Sequence, residues 1–214
     1  MAMWAEFVDL IYVTLFCVST AFGGSMGWAI AVESLVARLA LFPLTLRLAY
    51  RGLETQAALK RLAPKPRRIR EKYKKDQRRM LEETATLYQQ NGIELVDRHS
   101  LFGAILQTPI FLGLFGAIRR GVADGGRFLW VKDLAMPDAL LAFGGAVVTA
   151  WSSALAPSLS VSQRVPAVVV PALLTFFFLS RMAAGMSIYT LVSGLVGVAQ
   201  AVLVRRRAAR ILTA

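Results

Sequence analysis

The two residue types that build metal centres and disulfides are almost missing from this chain, which has one cysteine, Cys17, and one histidine, His99. A lone thiol cannot close an internal disulfide and a lone imidazole cannot hold a metal, so disulfide frameworks and Cys/His metal clusters are excluded. There is no Ser/His/Asp set, no HExxH pair and no glycine-rich phosphate loop, which leaves hydrolysis and nucleotide-driven chemistry without residues to carry them. No catalytic residue, metal or cofactor is expected, and the chain is not expected to be an enzyme. Acidic residues are scarce as well, 13 Asp and Glu against 25 Lys and Arg, for a formal net charge of +12. What is abundant is apolar: 56% of the 214 residues are hydrophobic and the mean hydropathy is +0.54, more than a soluble domain of this length usually carries. Strongly basic and strongly apolar segments therefore alternate along a membrane protein.

Five nearly charge-free runs stand out: Gly27 to Leu46, Ser100 to Ile118, Ala139 to Ala156, Val165 to Ser180 and Met182 to Val204. Each is near the ~20 residues an α-helix needs to cross ~30 Å of hydrocarbon. Arg181 and the Gly185 region mark a tight turn between the last two. Orientation follows from the basic residues flanking the spans, which stay on the cytoplasmic side. Fourteen lie between Arg47 and Arg98, and Arg164 and the tail residues Arg205, Arg206, Arg207 and Arg210 fall on the same side. Only Arg119, Arg120, Arg127, Lys132 and Arg181 fall on the other. The hairpin and C-terminus are thus expected in the cytoplasm.

The opening stretch, Phe7 to Gly23, is apolar but interrupted by Asp9, and no Lys or Arg precedes Arg38. A signal peptide would need a basic leading region. The expectation is an interfacial helix within residues 1–26, with Trp4 and Tyr12 as headgroup anchors; a sixth span is the alternative. The basic segment over 51–97 reads as an antiparallel helical hairpin turning around Lys74 to Gln77. Leu62, Ile69 and Tyr73 form a seam on one arm, and Met80, Thr84, Leu87 and Tyr88 on the other. Pro64 and Pro66 should kink the first arm. Its cations, Arg67, Arg68, Arg70, Lys72, Lys74, Lys75, Arg78 and Arg79 among them, suit anionic headgroups, ribosomal RNA or acidic proteins.

The first span poses the sharpest question, since "AVESLVARLALFPLTLRLAY" carries Glu33 and Arg38 within apolar surroundings. Arg38 lies ~16 Å along the helix from Gly27, near the midplane of a ~30 Å slab. A guanidinium at that depth costs between ~2.5 and 17 kcal/mol, and such residues face a bundle interior or a water-filled cavity. Five residues along a helix is a rotation of ~140°, so Glu33 and Arg38 do not share a face. Glu33 is expected to pair with Arg119, Arg120 or Arg181. Ser34, one turn before Arg38, shares its face; Gln107 precedes Pro109 in the second span; Thr190, Ser193, Gly197 and Gln200 make a small and polar stripe on the last. Such a stripe also serves close helix packing.

Five stretches carry a family resemblance: "VARLALFPLT", "LKRLAPKPRRIREKYKKDQRRMLEETATLYQQNG", "LQTPIFLGLF", "FLWVKDLAMPDALL" and "AAGMSIYTLVSGLVGVAQ". In content and order they resemble the YidC/Oxa/Alb family of membrane protein insertases, from about Trp4 to Arg207. The resemblance implies an all-α polytopic membrane protein. Its five transmembrane helices surround a hydrophilic groove open to the cytoplasm and to lipid, with a cytoplasmic helical hairpin. It implies segments at 27–50 for the first span, 98–207 for the rest of the membrane core and 208–214 for a cytoplasmic tail. Arg38 takes the place of the family's groove arginine and Ser34 that of a nearby hydroxyl, while Gln107 and Pro109 match the second-span motif. Departures from the family pattern are that "IELVDRHSLFGA" stands for the usual Asn-Pro-Leu-Gly-Gly run, that Thr190 follows the last-span Tyr189 where an aromatic is common, that Glu33 replaces an apolar residue and that Pro66 is extra.

The implied activity is insertion of newly made membrane proteins, whose short polar tails move partway across through the groove while their apolar helices leave into lipid. Groove residues are then Arg38, Ser34, Gln107, Thr190, Ser193 and Gln200. Implied partners are nascent membrane proteins, anionic lipids, the ribosome through hairpin and tail, and a Sec-type translocon; DNA is not among them. The absence of an Arg- and Ser-rich transit segment points to a bacterial inner membrane. Two other readings stay open: a small transporter or channel with Arg38 as an anion site, and a non-catalytic assembly factor.

Overall fold

The computed structural model describes residues 2–62, 66, 69, 71–74, 76–91, 108, 112–121, 126–156 and 161–213. Among them the only β pairing is an isolated bridge between Phe128 and Val131; everything else regular is helical. Helix α1 (Ala2–Ala21) turns through Gly23 and Gly24, both at positive φ, into α2 (Met26–Leu62). At 37 residues α2 is ~55 Å long, far more than a bilayer needs, so it extends well beyond its apolar part. Helix α3 (Gln77–Gln90) follows, its start fixed by Asp76 accepting from the Arg79 amide at 3.1 Å. Leu62, Ile69 and Tyr73 are half-buried, as are Met80, Thr84, Leu87 and Tyr88, whereas Lys72, Lys74, Arg78 and Arg79 are exposed. Pro64, Arg67, Arg68, Arg70 and Lys75 lie outside the described residues.

The remaining helices are α4 (112–121), α5 (Ala139–Ala154), α6 (Val161–Leu179) and α7 (Ala184–Thr213). Asp138 caps α5 by accepting from the Leu141 amide at 2.8 Å. Packing runs α1 on α2, α2 on α7, and α5 on both α6 and α7. The break expected at Arg181 is where α6 gives way to α7. Helix α7 continues through residues 208–213 of the expected tail, with Ala208 buried and Arg207 stacked over Tyr50 of α2 at 4.3 Å.

Three described helices are long and apolar enough to cross a membrane: Met3–Ala21, Met26–Leu53 and Ala184–Ala209. Ala139–Ala154 and Arg164–Leu179 are shorter apolar helices, and most of the expected second span lies outside the described residues. The first of the three packs lengthwise on the second. Thr14 sits seven residues before the end of α1 and Glu33 seven after the start of α2, and the Thr14 hydroxyl donates to Glu33 Oε1 at 2.8 Å. At 1.5 Å per residue both are ~10 Å from the turn, so the helices run side by side.

The densest core sits at one end of the bundle. There Leu15 of α1, Ile30 of α2, Ile118 of α4, Leu141 of α5, Leu179 of α6 and Met186 of α7 are buried together. The loop 126–138 closes over them: Phe128 and Val131 exchange backbone bonds of 2.9 and 2.8 Å, Leu134 is fully buried, and the Ala184 amide donates to Met136 O at 3.0 Å. Gly27 is required here, because a Cβ at that position would fall 2.3 Å from the Phe128 ring.

Candidate functional site

Moving along α2, α5 and α7 away from this closed end, the lining changes from apolar to hydroxyl-bearing within about two turns. A cavity of about 630 Å³ opens there, bounded by Arg38 of α2, Thr108, Thr149, Ser152 and Ser153 of α5, and Tyr189, Thr190, Ser193, Gly194 and Gly197 of α7. Helix register explains the set. Thr149, Ser152 and Ser153 are spaced i, i+3, i+4, and Thr190, Ser193, Gly194 and Gly197 are spaced i, i+3, i+4, i+7, so each group occupies one face. Gly194 lets α7 approach α5, since a Cβ there would lie 2.6 Å from Val148 Cγ1.

The polar atoms of this cavity call for water. Ser193 Oγ is buried and has no hydrogen-bond partner among the described residues, an arrangement native proteins rarely tolerate without solvent. Pro43 removes the amide that would bond the Leu39 carbonyl, one residue beyond Arg38, so that carbonyl also needs a partner at membrane depth. Thr149 and Thr190 return their hydroxyls to their own helices, bonding Gly145 O at 2.9 Å and Met186 O at 2.8 Å. Their lone pairs remain available to the cavity. Arg38, half-buried, is the formal charge on this wall.

Of the residues expected in a groove, the fold brings Arg38, Thr190 and Ser193 together. Ser34 is not with them. It is fully buried on the closed side, where its hydroxyl donates to Ile30 O at 2.5 Å. One helical turn from Arg38 is enough to carry it into the packed core. Gln200 is held by a different pairing: the Thr45 hydroxyl donates to Gln200 Oε1 and Gln200 Nε2 donates to Thr45 O, both at 3.2 Å, clasping α2 to α7. Gln107 lies outside the described residues. Sequence reasoning missed Thr108, Thr149, Ser152, Ser153 and Tyr189. The α5 hydroxyls carried the same face-sharing spacing that drew attention to α7, so they could have been found.

The expected Glu33 partners are also corrected. Glu33 is bonded to Thr14 rather than to an arginine, and Arg120 pairs with Asp9 of α1. Arg181 lies over the Phe177 ring at 4.1 Å. The intervening α1 takes both roles, because it occupies the flank of α2 on which Glu33 projects. No group of three or more His, Cys, Asp or Glu capable of holding a metal occurs among the described residues.

A family model described as 60Kd inner membrane protein matches residues 17–210. The chain is similar to proteins named Membrane protein insertase YidC. That of Wolinella succinogenes is 28% identical over 191 residues, covering 86% of this chain and 34% of the relative. That of Campylobacter jejuni is 31% identical over 186 residues, covering 83% and 33%. That of Clostridium tetani is 28% identical over 207 residues, covering 94% and 91%. The chain therefore spans about a third of the first two relatives and nearly the whole of the third.

Proposed function

The chain belongs to the 60Kd inner membrane protein family, the YidC/Oxa/Alb group, and on that premise we propose that it is a membrane protein insertase working through the Arg38 cavity. Five membrane-crossing helices enclose the cavity, the basic hairpin and the end of α7 lie in the cytoplasm of a bacterium, and the closed end faces outward. The two short apolar helices, α5 and α6, cross where the bilayer thins locally to meet them. Helix α1 stands beside α2 as a further apolar element.

The observation that carries this reading is the position of Arg38, half-buried at the wall of a hydroxyl-lined cavity that ends against dry apolar packing. Water in that cavity lowers the cost of holding a guanidinium at membrane depth. It also gives the polar tail of a client an environment other than hydrocarbon, in which an unsatisfied backbone group costs several kcal/mol. The guanidinium attracts acidic residues of the tail, and the client's apolar helix partitions sideways into lipid. Burial of that helix supplies the driving force, so the step needs no nucleotide. The exposed cations of the hairpin, Lys72, Lys74, Arg78 and Arg79, and those ending α7 serve to meet the ribosome, a Sec-type translocon or the inner leaflet.

The test is reconstitution of the full chain in liposomes with a single-span client bearing an acidic outer tail and a photo-crosslinker placed at Thr149 or Thr190. The tail is expected to crosslink from both positions and not from Ser34. Solute flux through client-free liposomes, with no crosslink to the tail, would put a transporter in the insertase's place.

A further inference from the structure

A second cavity, of about 430 Å³, lies at the closed end, on the other side of the packed layer from Arg38. Its walls are apolar, from Phe115 and Ile118 of α4, Met182 of the α6–α7 turn and Met186 at the start of α7. Two arginines from separate elements, Arg119 of α4 and Arg181 of the α6–α7 turn, line it as well. Both are exposed, and neither pairs with a carboxylate among the described residues, although the adjacent Arg120 is paired with Asp9. These cations sit at the end of the bundle remote from the basic hairpin, where the charge distribution of the chain otherwise disfavours them. Topology therefore gives no reason for their presence, whereas a ligand would.

The surroundings indicate which ligand. Arg181 is stacked at 4.1 Å on Phe177, which with Leu173, Leu174 and Phe178 belongs to the exposed apolar side of α6. A guanidinium held on that side is presented to the bilayer rather than to the interior of the bundle. Trp28, Leu129, Trp130 and Met136 are exposed at the same end, a distribution suited to the headgroup boundary. A planar fork of donors from each arginine matches a phosphate oxygen pair. We propose that the cavity is an anionic phospholipid site, in which Arg119 and Arg181 hold the phosphate and the apolar wall takes the first methylenes of an acyl chain.

Full-length protein in nanodiscs of phosphatidylcholine with a graded fraction of phosphatidylglycerol tests this directly, because no client is involved. Native mass spectrometry should find one phosphatidylglycerol retained in preference to phosphatidylcholine. An R119Q/R181Q double variant should weaken that preference roughly 20- to 30-fold, from about tenfold per 1.4 kcal/mol and about 1 kcal/mol per surface cation. An R127Q variant at the same end but outside the cavity lining should retain it. Equal retention by wild type and R119Q/R181Q would overturn the proposal. So would displacement of the lipid by millimolar inorganic phosphate, which would indicate a free-anion site, or by a soluble acidic peptide, which would make a client carboxylate the occupant. A measurement on unmutated protein guards against misfolding of the variant. Phosphatidylglycerol should protect Arg119 and Arg181, and not Arg127, from phenylglyoxal; equal modification in both lipids would count against the site.

Discussion

The closed end of the bundle and the cavity beneath it share three helices, α2, α5 and α7, yet one is tightly packed and the other open and lined by hydroxyls. On α2 the two regions lie within two turns of each other, Ile30 and Ser34 in the core and Arg38 at the cavity wall. On α7 the change falls between Met186 and Thr190, and on α5 between Ala142 and Thr149. The difference does not come from the polarity of any one residue, since Ser34 and Ser187 are sealed at the dry end while Ser193 lines the cavity. It comes from what neighbouring helices place opposite. Loop 126–138 and α4 fill the space at one end, and hydroxyls and glycines leave it open at the other.

Glu33 and Arg38 sharpen the contrast, and the largest effect is expected from separating them. Arg38→Ala should reduce insertion of a client with an acidic tail roughly 10- to 100-fold, the equivalent of a charge-assisted contact worth about 1.5–3 kcal/mol. Arg38→Lys should keep most of the activity, because the cavity supplies charge and water rather than a fixed fork. Glu33→Gln should leave insertion unchanged, since an amide oxygen still accepts from Thr14. Insertion assays in liposomes decide the matter; equal sensitivity at 33 and 38 would erase the distinction between the two regions.

A second way to break the comparison is to open the closed end. Gly27→Leu forces the Phe128 ring aside and should cost roughly 1–3 kcal/mol, read as a lowered unfolding midpoint in detergent. Accessibility gives an independent reading in a Cys17→Ser background. Ser34→Cys should react with a water-soluble maleimide about tenfold or more slowly than Ser153→Cys, because thiol reactivity requires solvent access. Adding Gly27→Leu should bring the two rates together.

Much of this contrast was legible in the sequence, and the part that was not has a common cause. Helical runs and the break at Arg181 follow from hydropathy and periodicity, which act within a single segment. Arg38 was legible because an isolated charge at membrane depth calls for water wherever the neighbours lie. The burial of Ser34 was not legible, because sharing a helical face with Arg38 says nothing of depth, and one turn crosses from cavity to core. The Glu33 partner was misread because it depends on α1 folding back along α2, a choice between two placements of an apolar helix that local pattern leaves open. The α5 hydroxyls were passed over although their spacing matched that of α7. Spacing identifies a face, but only the arrangement of helices says which faces meet.

The smallest effect tests whether the cavity is held open by its rim. Thr45 and Gln200 form a reciprocal pair that ties α2 to α7, beyond Arg38 as one moves toward the hairpin. Polar pairs between membrane helices are worth about 0.6 kcal/mol on average and at most about 1.7, because the separated helices find other partners. A double-mutant cycle with Thr45→Val and Gln200→Leu should therefore return a coupling within that range, with insertion nearly unchanged in each variant. If Gln200 instead belongs to the conducting surface, Gln200→Leu should impair insertion while the coupling to Thr45 stays near zero. The two outcomes differ in which readout moves, the coupling in one and insertion in the other. The clasp acts on the stability of the α2–α7 contact and leaves the polarity around Arg38 untouched, whereas a lining residue would alter that polarity directly.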